Sequence, residues 1–235
     1  NPINTLNETT NLSTIFRVIG NEKKSNNYIF QTIKNSPNVT NSYRTFITTF
    51  LRDEDYINAK KIIDLYNNNI GNENFVNFYQ GIYSYYKKNY SKALDRFNES
   101  KKISEDWSTI GVNNFSNAYY KLQSLVKTEN NFKQFLNIGI DYTQSRILDG
   151  ANSPGIFLQY SALLCMKLNF DDALKFLEKS VQSGLRDSSL LNDPAFEKLR
   201  NRDRFEFILN DISVLLEREK LKFNNDNLRL ADELN

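Results

Sequence analysis

The stretch from Phe78 to Phe97, FYQGIYSYYKKNYSKALDRF, combines many aromatic side chains with two very small residues, Gly81 and Ala93. Its apolar residues recur at steps of three and four, which is the spacing of one face of an α-helix. The short polar turn KKN divides the stretch into two helices that we expect to pack as an antiparallel hairpin. Two helices approach to about 8 Å only where the contact residues are small, so Gly81 and Ala93 are predicted to lie at the crossing.

The same helical spacing extends along most of the chain. Three pairs of helices are predicted: 42–52 with 55–68, 74–87 with 90–102, and 155–167 with 170–182. The 235 residues include only 8 glycines and 4 prolines, and strand-like alternation is scarce. An all-α fold is therefore predicted.

A phrase of sequence recurs at a fixed period. Ala59 and Ala93 lie 34 positions apart, and each follows a tyrosine by three residues, in DYINAKKII and NYSKALDRF. NFDDALKFL repeats the phrase around Ala173. A recurring period of this length is the mark of a repeat architecture, in which each hairpin buries its apolar face against the next.

These residues resemble the tetratricopeptide repeat, a 34-residue helix-turn-helix unit with Gly, Ala, Phe and Pro at set positions. Gly81, Ala93 and Phe97 match the Gly, Ala and Phe positions, whereas Ile47 departs from the Gly or Ala usual in the preceding unit. The resemblance implies a right-handed α-solenoid of about five hairpins over residues 1–185, with the first and fourth irregular. Residues 186–235 are expected to form C-terminal capping helices and a charged tail, beginning with Asp193 and Pro194 as helix N-cap and first helical residue.

Composition and motifs argue against several functional classes. The chain has no histidine and a net charge of +2, so we expect no catalytic residues of the histidine type, no metal site and no nucleic-acid partner. No nucleotide-binding motif is present, and no cofactor is predicted. No apolar run approaches the length of a membrane span, so direct membrane insertion is not expected. The lone Cys165 lies in an apolar stretch that predicts burial, and the composition leaves the cellular compartment open.

The resemblance also implies a binding surface, because the first helix of each unit lines a concave groove in that family. The residues carried over to the groove are Arg44, Thr48, Arg52, Phe78, Tyr85, Tyr86 and Tyr120. Arginines followed by a tyrosine patch suit an acidic, partly aromatic or extended peptide, since Arg and Tyr are common anchors of contact surfaces. The alternative interpretation is that several of these rings serve only in packing between helices.

Three functional classes follow from these patterns. The first, which the repeat and the absence of catalytic groups favour, is a non-enzymatic scaffold that binds a partner protein or peptide in the groove. The second is an accessory or regulatory repeat domain of a longer enzyme or cell-envelope protein. The third is an enzyme that uses carboxylates or tyrosine without histidine. The high aromatic content also allows a homo-oligomer that forms through the convex face or the tail.

Overall fold

The protein is helical throughout the part of the chain that the structure, a computed structural model, describes: residues 2–100, 124, 127 and 133–233. The helices are α1 (Pro2–Val18), α2 (Glu22–Asn35), α3 (Thr40–Arg52), α4 (Tyr56–Asn69), α5 (Glu73–Tyr86), α6 (Tyr90–Glu99), α7 (Lys133–Leu148), α8 (Pro154–Met166), α9 (Phe170–Gln182) and α10 (Asp203–Glu233). Two 3₁₀ helices, Ser188–Asn192 and Pro194–Leu199, precede α10. Over these residues the all-α prediction is confirmed.

Consecutive helices pack against each other as pairs. The pairs are α1 with α2, α3 with α4, α5 with α6, and α8 with α9. The last three correspond to the pairs expected from the sequence, with ends that differ by at most three residues. Further contacts join α2 to α3, α4 to α5, α3 to α5, and α7 to α8.

The turn between the two helices of a pair has the same construction four times. In each turn one residue has a left-handed backbone conformation, with φ between 58° and 83°. The residue that follows it is an Asn or Asp that caps the second helix. The left-handed residues are Gly20, Glu54, Lys88 and Leu168, and the capping residues are Asn21, Asp55, Asn89 and Asn169. The first three capping residues are spaced at the 34-residue period.

Hydrogen bonds explain why this turn closes one helix and opens the next. At Asn89 the backbone N–H donates to the Ser84 carbonyl (2.9 Å), and the side-chain oxygen accepts from the Lys92 N–H (3.2 Å). The first bond satisfies a free carbonyl at the end of α5, as in a Schellman motif. The second satisfies a free N–H at the start of α6. One residue therefore ends a helix and begins its partner.

Small residues lie where the helices of a pair cross. Gly81 contacts the Phe97 ring so closely that a Cβ added to the glycine would lie 2.5 Å from the ring Cε1. Ala59 and Ala93 are fully buried. In the α8–α9 pair the Ser161 hydroxyl donates to the Ala173 carbonyl at 2.6 Å, which a larger residue would prevent.

Aromatic rings fill the space between neighbouring pairs. Tyr66 in α4 makes edge-to-face contacts with Tyr43 in α3 (5.1 Å between centroids) and with Tyr79 in α5 (5.0 Å). All three rings are buried. Edge-to-face pairs add roughly 0.5–1.5 kcal/mol beyond the area that they bury. The aromatic richness of the sequence thus serves packing from one pair to the next.

The C-terminal helices return to the body of the protein. Asp193 caps the second 3₁₀ helix by accepting from the Ala195 N–H (2.9 Å), with Pro194 as its first residue, in agreement with the predicted cap. Helix α10 packs against α9, where Arg204 donates two 2.7 Å hydrogen bonds to the Glu178 carboxylate. The 3₁₀ helices contact α3, α8 and α10. Residues far apart in sequence are joined there.

Candidate functional site

The residues predicted to line a groove differ in how accessible they are. Phe78, Tyr85, Tyr86 and Thr48 are buried, and Arg44 and Arg52 are half-buried. Tyr120 lies outside the described residues. The buried members contact other parts of the same chain. Binding of a partner by these side chains stays a prediction, and such binding would require those contacts to rearrange.

Two of the predicted residues, Arg44 and Phe78, lie together between α3 and α5. The Arg44 guanidinium carbon lies 5.8 Å from the centre of the Phe78 ring, a cation–π distance. Thr48 is used within its own helix, where its hydroxyl donates to the carbonyl of Arg44 or of Thr45, each 3.0 Å away. The guanidinium of the half-buried Arg44 thus lies against the buried Phe78 ring between α3 and α5.

Tyr85 and Tyr86 lie together at the C-terminal end of α5 and hold the carboxylate of Asp193. The Tyr85 hydroxyl donates to Asp193 Oδ1 at 2.7 Å, and the Tyr86 hydroxyl donates to Oδ2 at 3.4 Å. Asp193 is itself buried. Hydrogen bonds to a buried charged group are stronger than those between neutral groups, so this cluster fixes the 3₁₀ segment against α5.

Two neighbouring contacts extend the same interface. The Asn192 side-chain amide donates to the Arg52 carbonyl (2.9 Å) at the end of α3. Lys88 and Lys127 both face Glu197, at 2.5 Å and 3.6 Å from its carboxylate oxygens. We call residues 187–199 the docking segment, because their side chains reach the ends of α3 and α5 across more than 100 residues of sequence.

The electrostatics of this interface favour the charged form of Glu197. The hydrogen bond from Lys88, assisted by the nearby Lys127, lowers the pKa of Glu197. Burial raises the pKa of the neighbouring Tyr90 to about 12, with smaller contributions from Glu197 and Asp193. Because the phenol stays neutral and the carboxylate stays charged over the neutral pH range, the interface keeps one charge state there.

Two clefts border the docking segment. One has a volume of about 130 Å³ and is lined by residues that include Arg52, Leu158, Gln159, Asp193 and Phe196. The other, of about 90 Å³, lies between Cys165 and Met166 of α8 and Pro194 and Ala195 of the segment. Both are partly open to solvent, so the docking segment is bordered by shallow clefts beside α8.

Features that would support catalysis or metal binding are few in the described residues. Cys165 is buried, and its burial raises the pKa of the thiol to about 12, which keeps it protonated and unreactive near neutral pH. No group of three or more His, Cys, Asp or Glu side chains is close enough to hold a metal ion in residues 2–100, 124, 127 and 133–233. Within the same residues, none of the helices has both the length and the apolar character to cross a membrane.

Comparison with known proteins returns no relative. No protein-family model matches the chain, and no curated protein and no solved structure matches it.

The sequence pattern missed the members of this interface that come from the docking segment. Asp193 was predicted as a helix cap only, whereas its carboxylate also binds the two tyrosines of α5. One signal could have found it, since the arginines and tyrosines of the predicted groove suit an acidic, partly aromatic peptide. Residues 193–197, DPAFE, have that chemistry.

Proposed function

We propose that the chain is a non-enzymatic module that binds a segment of another protein, built as a right-handed α-solenoid of divergent repeats of the tetratricopeptide type. The observation that carries this proposal is the recurring turn, in which a left-handed residue and an Asn or Asp cap recur at the 34-residue period. Repeated hairpins stacked in one direction form an extended surface, which such proteins use for binding.

The small residues at equivalent positions give further support. Ser13, Gly81 and Ser161 are buried in the first helices of their pairs, and Ser25, Ala59, Ala93 and Ala173 are buried in the second helices. This equivalence supports a common crossing point in these pairs, with Ile47 of α3 as an exception to the small residue in the first helix. The contacts of α2 with α3 and of α4 with α5 are those expected when consecutive pairs stack.

The binding surface is assigned to the first helices of the pairs, α3 and α5, and to their C-terminal ends. Arg44 and Arg52 supply positive charge there, and Tyr85 and Tyr86 supply hydroxyl donors. Such a surface suits a partner with carboxylate and aromatic side chains. The absence of histidine from the sequence and the protonated, buried Cys165 favour binding over catalysis.

Affinity capture with charge-matched variants tests this function. The bait would be the intact chain, the double variant Arg44→Glu with Arg52→Glu, or the control Lys23→Glu with Lys92→Glu on exposed positions of α2 and α6. We expect the arginine variant to lose a bound protein at least tenfold in quantitative mass spectrometry while the lysine variant keeps it. Equal retention by both variants, with circular dichroism showing both folded, would refute the assigned surface.

A further inference from the structure

We propose that the docking segment, residues 187–199, is an intramolecular ligand of the surface at the ends of α3 and α5, and that this surface recognises partner segments with the same Asn-Asp-Pro-x-Phe-Glu chemistry. The inference rests on the proposed binding function. It adds the chemistry of the partner segment and states what occupies the surface when no partner is bound. In the free chain the surface is covered by its own segment.

The contacts of the segment with α3 and α5 are those of a bound peptide. Asn192 donates to a backbone carbonyl, Asp193 accepts from two tyrosine hydroxyls, and Glu197 pairs with lysine. Each contact recognises one side chain of the segment at a fixed spacing. A peptide with the same residues at the same spacing can make the same set of contacts.

Apolar side chains of the segment supply the anchors. Leu191, Phe196 and Leu199 are each at most 2% exposed. A buried aromatic anchor surrounded by polar contacts is the usual composition of a binding hot spot. Clefts of about 130 and 90 Å³, both partly open to solvent, border the segment on the side of α8. A ligand with larger side chains at the positions of Leu190 or Ala195 would have space there.

The conformation of the segment is set by its own residues. Asp187 caps the first 3₁₀ helix through the Ser189 N–H (3.0 Å), and Asp193 caps the second through the Ala195 N–H (2.9 Å). Gly184, with φ of 111°, lies before the segment at the end of α9 and permits a change of chain direction. A separate peptide of this sequence therefore carries the signals for the bound shape.

Tethering makes the segment a strong competitor. A ligand attached by a short linker acts at an effective concentration on the order of millimolar. To displace the tethered segment, a partner segment must be present above that effective concentration or must bind the surface more tightly than the tethered segment does. Weakening the tethered segment should consequently raise the apparent affinity for a partner segment.

The test uses a fluorescein-labelled synthetic peptide of residues 186–200 and the full chain. The variants Phe196→Ala and, separately, Asn192→Ala with Glu197→Ala weaken the tethered segment without touching α3 or α5. We expect either variant to bind the peptide at least tenfold more tightly than the unmodified chain does, as measured by fluorescence anisotropy. A peptide with Asn at the position of Asp193 should bind at least tenfold more weakly, because it loses the charged acceptor.

A second measurement applies to the unmodified chain, so the proposal does not depend on the variants folding. In amide hydrogen exchange, the backbone N–H groups of residues 188–199 should exchange with solvent faster than those of α8 and α9. Exchange of the segment only with global unfolding would overturn the proposal.

Absence of peptide binding by a folded variant would overturn the proposal as well. If affinity capture still shows an arginine-dependent partner in those cases, the proposed function stands and only the identity of the recognised segment is wrong.

Discussion

The Tyr85 hydroxyl donates a 2.7 Å hydrogen bond to the Asp193 carboxylate, across 108 residues of sequence. Both groups are buried, and the same carboxylate oxygen accepts from the Ala195 N–H. The bond joins the end of α5 to the docking segment. It is one of several contacts that attach the C-terminal part of the chain to the helices that precede it.

Removal of this hydroxyl should destabilise the protein. Tyr85→Phe is expected to lower the free energy of unfolding by about 1.5–3 kcal/mol, because a buried charged acceptor loses a donor. Tyr83→Phe, on a half-buried ring of the same helix, is the matched control and should change stability by less than about 0.5 kcal/mol. Urea unfolding followed by circular dichroism provides the measurement, and equal effects of the two substitutions would contradict the assigned bond.

The Gly81 contact with Phe97 predicts a difference between two glycines. Gly81→Ala should destabilise the protein by roughly 1–3 kcal/mol, because the new Cβ would lie 2.5 Å from the ring. A Cβ added to Gly155, in helix α8, would meet no atom within 4 Å, so Gly155→Ala should stabilise by up to about 1 kcal/mol. Thermal melts of both variants provide the measurement. The prediction requires a lower melting temperature for Gly81→Ala and a higher one for Gly155→Ala.

The left-handed turn residues predict a stabilising substitution. Leu168 is exposed and has φ of 64°, a conformation that costs an ordinary L-residue about 1–2 kcal/mol. Leu168→Gly should raise the free energy of unfolding by about 0.5–1 kcal/mol, after allowance for the greater flexibility of glycine in the unfolded chain. Lys167→Gly, one residue earlier with φ of −76°, should lower it instead. A loss of stability in Leu168→Gly, measured by urea unfolding, would argue against the turn.

Two carboxylates predict how stability changes in acid. Hydrogen bonds from Arg204 and Lys88 lower the pKa of Glu178 and Glu197 below the ordinary value of 4.5. A group whose pKa is lowered on folding stabilises the native state fully above its unfolded-state pKa, and this stabilisation is lost as pH falls through the folded-state pKa. The variant Glu178→Gln with Glu197→Gln should therefore lose stability less steeply below pH 4.5 in urea melts.

A partner substitution controls for that experiment. Lys88→Met leaves Glu197 in place but removes its nearest cation, so it should flatten the pH dependence in the same direction. If the free energy of unfolding of both variants falls as steeply below pH 4.5 as that of the unmodified chain, these ion pairs contribute little to stability. Because both carboxylates are partly exposed, solvent screening keeps each effect small.

The helices of this protein could be predicted from local signals. Apolar residues at steps of three and four marked α3 to α6, α8 and α9, and the polar turns between them ended each helix within a few residues of the observed boundary. The recurring Asn or Asp caps at 55, 89 and 169 are likewise local, since a cap needs only the N–H groups of the next turn.

The accessibility of the candidate site could not be predicted in the same way. Periodicity placed Phe78, Tyr85 and Tyr86 on first helices, and the alternative that such rings serve in packing remained open. The structure buries all three, and Tyr85 and Tyr86 bind a carboxylate more than 100 positions later in the chain. Spacing within one helix carries no information about which distant segment covers it.

The sequence alone determined the three predicted helix pairs, the small residues Gly81 and Ala93 between the helices of one pair, and the Asp193 cap. These features depend on residues within about one turn or one hairpin of each other, where steric fit and hydrogen-bond supply act locally. Only the tertiary structure decided that residues 187–199 return to cover the ends of α3 and α5. That arrangement depends on carboxylates, hydroxyls and a buried Phe196 that meet only after the intervening helices have packed.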